Sequence, residues 1–128
     1  MKKINQPTRK KCIIDFITEF IFGIVFMILI IIYGRPIGLL ESLPIGMGGG
    51  MIIYYFFRKR KLDERDYYLY YKVNHFTLAT VMGAVVILRL VVDLPKFSDF
   101  INASWAQLII LSFFFFHGLY GLILFVRK

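Results

Sequence analysis

The chain has little of several things, and each shortage excludes a class of protein. A single cysteine, Cys12, rules out a disulfide-stapled secreted domain. Charged residues make up only 19% of the 128 positions, against 59% hydrophobic and 18% aromatic. Disorder needs low hydrophobicity and few aromatics, so a disordered tail is excluded. The usual signatures of catalysis are missing as well: there is no C-x-x-C, no G-x-S-x-G and no H-E-x-x-H. The glycine-rich run at 46–50 lacks the Lys-Ser/Thr that would complete a phosphate cradle. No cofactor or metal is implied, and a non-enzymatic protein is expected. Acidic residues are scarce too, eight against sixteen basic ones, which leaves a formal charge of +8.

Apolar length is what the chain has in plenty. Fourteen Phe and eight Tyr exceed what one small soluble core can bury. The pattern predicts an all-α polytopic membrane protein with four spans, at about 13–33, 44–58, 74–93 and 103–126, behind a basic leader at 1–12. The first run ends at Gly34-Arg35-Pro36, where a charge meets a helix breaker. It is too long for a signal peptide and carries Asp15 and Glu19, so a retained helix is expected. Glu41, Ser42 and Pro44 interrupt the second run, and a helix of about 22 Å from Pro44 is the simpler reading. The third helix should begin at Asp63 as N-cap, with Glu64 and Asp66 at its positive end, and close before Pro95. A helix over 63–93 would measure about 46 Å, longer than a bilayer is thick, so its first turns project into the cytosol. Trp105 and the Arg127-Lys128 pair bracket the fourth span.

Sorting the charge by side gives an orientation. With four crossings, 13 of the 16 basic residues fall on the side of the termini, and the positive-inside rule makes that side the cytosol. Arg58, Lys59, Arg60 and Lys61 follow an apolar span directly, which marks them as a stop-transfer anchor on anionic lipid headgroups rather than a nucleic-acid patch. Cys12 lies at the reducing face, where acylation is conceivable and a disulfide is not expected.

Ionisable groups inside a span are costly, so they are the first places to seek function. Glu19, His75, His117 and Tyr120 form the candidate polar membrane site. By depth, Glu19 should meet Lys72 or His75 as an interhelical clasp, and a proton relay to His117 is the sharper alternative. Arg89 and Asp93 have the i,i+4 spacing of an ion pair. Gly46 and Gly50 are a small-xxx-small pair suited to close helix packing, with Gly118 and Gly121, and Gly23, as candidate opposing surfaces.

Two resemblances rest on these residues. The stretch Arg58-Lys-Arg-Lys-Leu-Asp-Glu-Arg-Asp66, then Tyr70-Tyr-Lys-Val-Asn74, resembles small uncharacterised prokaryotic membrane proteins with a basic run before a D-E-R motif. That resemblance covers about 20 residues and implies a multi-pass inner-membrane protein, both termini cytoplasmic, with no activity attached. Four short helices and a first-span carboxylate are similar to the small multidrug resistance transporters, in which Glu19 would bind proton and cationic drug alternately. Glu19 stands here in I-T-E-F, outside that family's pattern, and the strong charge bias disfavours its antiparallel dimer. The leading expectation is therefore a protein acting by association with itself or a membrane partner. The alternative is a small oligomeric transporter or pore subunit that uses Glu19 and the histidines for proton or ion coupling.

Overall fold

The computed structural model describes residues 6–33, 46, 48–51, 53–54, 62–96 and 98–127. Three long helices carry the fold: α1 (Gln6–Tyr33), α2 (Glu64–Val92) and α3 (Ser98–Val126). Each is long and apolar enough to cross a membrane. Residues 46, 48–51 and 53–54 are also helical, and no strand occurs among the described residues. Most of the expected second span, and all of Arg58–Lys61, lies outside them.

Helix ends follow local chemistry more than hydropathy. α2 starts beyond Asp63, whose extended backbone (φ −69°, ψ 155°) makes it the N-cap. Its carbonyl accepts from the Tyr67 amide at 2.9 Å, while its carboxylate makes no capping bond. Glu64 and the buried Asp66 sit in the first turn, where the helix dipole favours negative charge. α1 begins seven residues before the apolar run, with Pro7 in the first turn, which tolerates it. The second half of the basic leader is thus helical, and Cys12 is fully buried, which closes it to acylation. α3 begins five residues before its uncharged run, at Ser98, with Asp99 in its first turn.

α3 is the central helix. Its buried positions Ser104, Gln107, Leu111, Phe114, Gly118, Gly121 and Phe125 alternate steps of three and four residues. Cys12, Phe16, Glu19 and Gly23 do the same on α1. This is the seam spacing of left-handed helix packing. At that seam, glycine replaces bulk: a Cβ on Gly118 would stand 2.6 Å from Phe20 N and 2.7 Å from Phe16 O. A Cβ on Gly23 would stand 2.9 Å from Phe115 N. Gly121 lies under the Phe16 ring.

The directions of the helices follow from what meets at each end. Arg9 Nη2 donates to Phe125 O at 2.7 Å, so α1 and α3 are antiparallel. Cys12 and Phe16 of α1, Leu69 and Val73 of α2, and Phe125 of α3 form one core cluster. At the far end, Val85, Leu88 and Val92 of α2 face Ile101, Trp105 and Ile109 of α3 across a groove. α1 and α2 therefore run in the same direction, and the chain returns to the first end between them. Gly48 on that return faces Ile110 and Phe114, and Met51 packs with Phe22, Leu111 and Phe114.

The distribution of polarity is inverted. Ile14, Ile17, Ile21, Val25, Ile28 and Ile31 cover the outside of α1, and Leu78, Met82, Val86 and Leu90 the outside of α2. Glu19, Asp66, Thr77, Ser104, Gln107 and His117 are buried. A soluble chain with such an apolar exterior would aggregate, whereas in lipid it is the expected arrangement.

Candidate functional site

The three helices meet at one polar constellation. Glu19 lies on the seam face of α1, one turn beyond Phe16, and is 2% exposed. His117 precedes Gly118 on α3, so its ring leaves the seam toward α2 and is wedged between both neighbours. Its Nδ1 lies 2.5 Å from Glu19 Oε2. Its Nε2 lies 3.0 Å from Asn74 Oδ1 on α2. With its carbonyl oxygen turned to the ring, Asn74 accepts and Nε2–H donates, so this amide orientation goes with the Nε2-protonated ring. A second proton lies between Nδ1 and the carboxyl. The arrangement is either imidazolium with carboxylate or imidazole with carboxylic acid, and both are neutral overall.

Aromatic rings close the site. Phe113 stacks on the imidazole at 5.3 Å with a 12° interplanar angle, Tyr70 meets it edge-on at 5.8 Å, and Phe16 lies at 5.5 Å. The ring faces around it would offset part of the hydration that an imidazolium loses here. Leaving a polar group of this kind unpaired in so dry a place would cost several kcal/mol, roughly, which explains why each nitrogen has a partner. Asn74 itself is exposed, and it is the edge through which the constellation reaches the surface.

The other expected site residues lie elsewhere. His75 faces outward, stacked beside Tyr71 at 6.4 Å, because the buried face of α2 runs through Leu69, Val73 and Thr77. The Glu19–His75 and Glu19–Lys72 pairings expected from depth do not form; Lys72 Nζ rests 4.7 Å over the Tyr68 ring instead. Tyr120 shares a face with His117 but reaches α2, where Thr80 donates to Phe76 O at 2.8 Å and so accepts from the Tyr120 hydroxyl at 2.9 Å. Asn74 and the aromatic walls were missed by a reading that followed ionisable groups alone. A polar stripe of Tyr70, Asn74 and Thr77 at helical spacing was the available signal.

Arg89 and Asp93 are joined at 3.2 Å, with side chains 73% and 75% exposed. A pair so open contributes a few tenths of a kcal/mol, roughly, after solvent screening. Arg89→Gln is thus expected to leave thermal unfolding of the detergent-solubilised protein almost unchanged. A large loss would mean that Arg89 has a second role at the groove it shares with Asn102 and Trp105.

A Cβ on Gly46 or Gly50 would meet no atom of the described residues within 4 Å, while one on Gly48 between them would press on Ile110 and Phe114 of α3. Gly118 and Gly121 face α1, not the glycines of the second segment. Among the described residues, no group of three His, Cys, Asp or Glu side chains converges to hold a metal ion. No family model, curated protein or solved structure matches this chain.

Proposed function

We propose that this chain is a four-span inner-membrane protein, with both termini in the cytosol, that acts without catalysis by associating with itself or a membrane partner. The parallel course of α1 and α2 supports the fourth crossing, since the intervening chain returns across the bundle. The charge bias supports the orientation. The observation that carries association is the pair of open glycines, Gly46 and Gly50, opposite a Gly48 that is already packed. Small residues at that spacing let two backbones approach closely in lipid. In this reading the Glu19–His117–Asn74 constellation is a clasp that fixes three helices, and Arg58–Lys61 rests on anionic headgroups.

The number of copies per particle tests it. Single-particle photobleaching in native-lipid nanodiscs should count two or more chains, or one chain with a co-purified membrane partner. Gly46→Leu with Gly50→Leu should reduce a self-assembled particle to single chains. A wild-type particle that holds one chain and nothing else overturns the proposal. A second reading, an oligomeric transporter or pore subunit, draws on the Glu19–His117 contact. Proton-coupled flux in liposomes that Glu19→Gln abolishes would favour it.

A further inference from the structure

The Glu19–His117 pair holds two protons on polar atoms, and of the three members of the clasp only Asn74 is exposed. We propose that Glu19, His117 and Asn74 form a binding site for a single exchangeable proton, reached from outside the bundle through Asn74. This goes beyond association and rests on the same constellation serving as the clasp.

The geometry gives each atom a place in the exchange. Nε2–H points to the exposed member, Asn74, and Nδ1 points to the deepest one, Glu19. When the Asn74 amide turns aside, a water can take its place at Nε2. Nε2 then gives its proton to that water, the N–H bond electrons stay on the ring, and Nδ1–H remains donated to the Glu19 carboxylate. The site passes from neutral to one negative charge, and uptake of a proton at Nε2 reverses the step. Nothing is oxidised or reduced. The carboxyl serves as the internal counter-charge that makes the protonated ring neutral overall, and the ring's two nitrogens join the buried end to the exposed one.

The surroundings favour this route over a sealed clasp. From α1, Glu19 faces the ring; from α2, the Tyr70 phenol ring and the Asn74 amide; on α3, the flanking Phe113 carries no titratable group. One turn beyond Asn74, the Thr77 hydroxyl is wholly buried and has no hydrogen-bond partner among the described residues. It adds a donor and acceptor beside the route into the site. An asparagine is the expected gate, since its amide holds Nε2–H without itself taking up the proton.

Histidine NMR tests the proposal directly, because the chain has two histidines and one is outward-facing. Full-length His75→Gln protein, labelled with nitrogen-15 in the imidazole and carbon-13 in the Glu carboxyls, would be placed in nanodiscs of phosphatidylethanolamine and phosphatidylglycerol. Across about pH 4 to 10, the His117 nitrogens and the Glu19 carboxyl carbon should move together along one curve. Asn74→Leu, or Asn74→Ser if the first fails to fold, should change the rate of Nε2 proton exchange with water several-fold. Signals that stay flat at every pH, two separate curves, or an exchange rate indifferent to both Asn74 variants would each overturn the site. The association reading fails separately, through a one-chain particle whose ring nevertheless titrates.

Discussion

Gly118→Val is expected to keep α1 and α3 from closing on each other and to be among the most damaging single substitutions in the chain. The Cβ alone would lie 2.6 Å from Phe20 N and 2.7 Å from Phe16 O, and both are backbone atoms. No rotamer change relieves such a clash, so one helix must move away from the other along the seam. Overpacking usually costs about 1–3 kcal/mol, with larger losses where the backbone must shift, and about 3 kcal/mol or more is expected here. Gly121 offers little more room, because its Cβ would press on Cγ and Cδ1 of Phe16, a buried ring held against Tyr70, His117 and Phe125, and turning the ring does not move Cγ. Gly83 provides the control: a Cβ there would meet none of the described residues within 4 Å, and in a helix interior alanine is favoured over glycine by roughly 0.5–1 kcal/mol. Gly83→Ala should therefore be neutral or slightly stabilising. Denaturant unfolding in mixed micelles would rank the three, and a Gly118→Val protein as stable as Gly83→Ala would refute the close seam.

The same seam shows which parts of the fold the sequence discloses. Length and hydropathy identify the apolar helices, and capping chemistry places α2 within a residue at each end, because Asp63 and Pro95 punctuate it. The early starts of α1 and α3 escape a hydropathy reading, since polar residues at 6–12 and 98–102 are helical for reasons of helix geometry and termini. Direction around each helix axis is harder to read. On a soluble helix, the apolar stripe marks the inside. Here both faces of α1 are apolar, and the difference is between Ile and Val outside and Phe, Gly, Cys and Glu inside.

That loss of rotational information explains the fate of the site residues. Counting turns from a helix end gives depth, and depth alone put Glu19 level with Lys72 and His75. Partnership also needs the right face. On α2, Val73 and Thr77 point inward, so His75, two residues from each, points away. His117 was recognised as intramembrane and linked to Glu19 only as an alternative, because its neighbour Gly118 had to be known to touch α1 before the distance could be judged. Asn74 carries no charge and so does not stand out among the candidate site residues, yet in a dry seam an amide too needs a hydrogen-bond partner.

Removing either half of the Glu19–His117 pair should be costly, and removing both should cost far less than the sum. Glu19→Leu strands an imidazole whose Nδ1 has no partner among the Phe16, Tyr70 and Phe113 rings. His117→Leu strands a carboxyl that is 2% exposed and also cuts the link to Asn74. Breaking one partner of a buried pair typically costs about 3–5 kcal/mol, because the remaining group must be neutralised or drag water inward. The double variant Glu19→Leu/His117→Leu has no stranded charge, and apolar replacements of buried pairs are often neutral. The coupling term from a double-mutant cycle should thus be a large fraction of each single loss, about 2–3 kcal/mol at the top of the range for neighbouring residues. Asn74 sets the comparison. Asn74→Leu leaves the pair itself intact but takes the partner from Nε2–H at the exposed edge, so it should cost about 1–3 kcal/mol, less than either half of the pair. Near-additive losses at Glu19 and His117 would mean the two groups do not depend on each other, and the constellation would then hold no helices together.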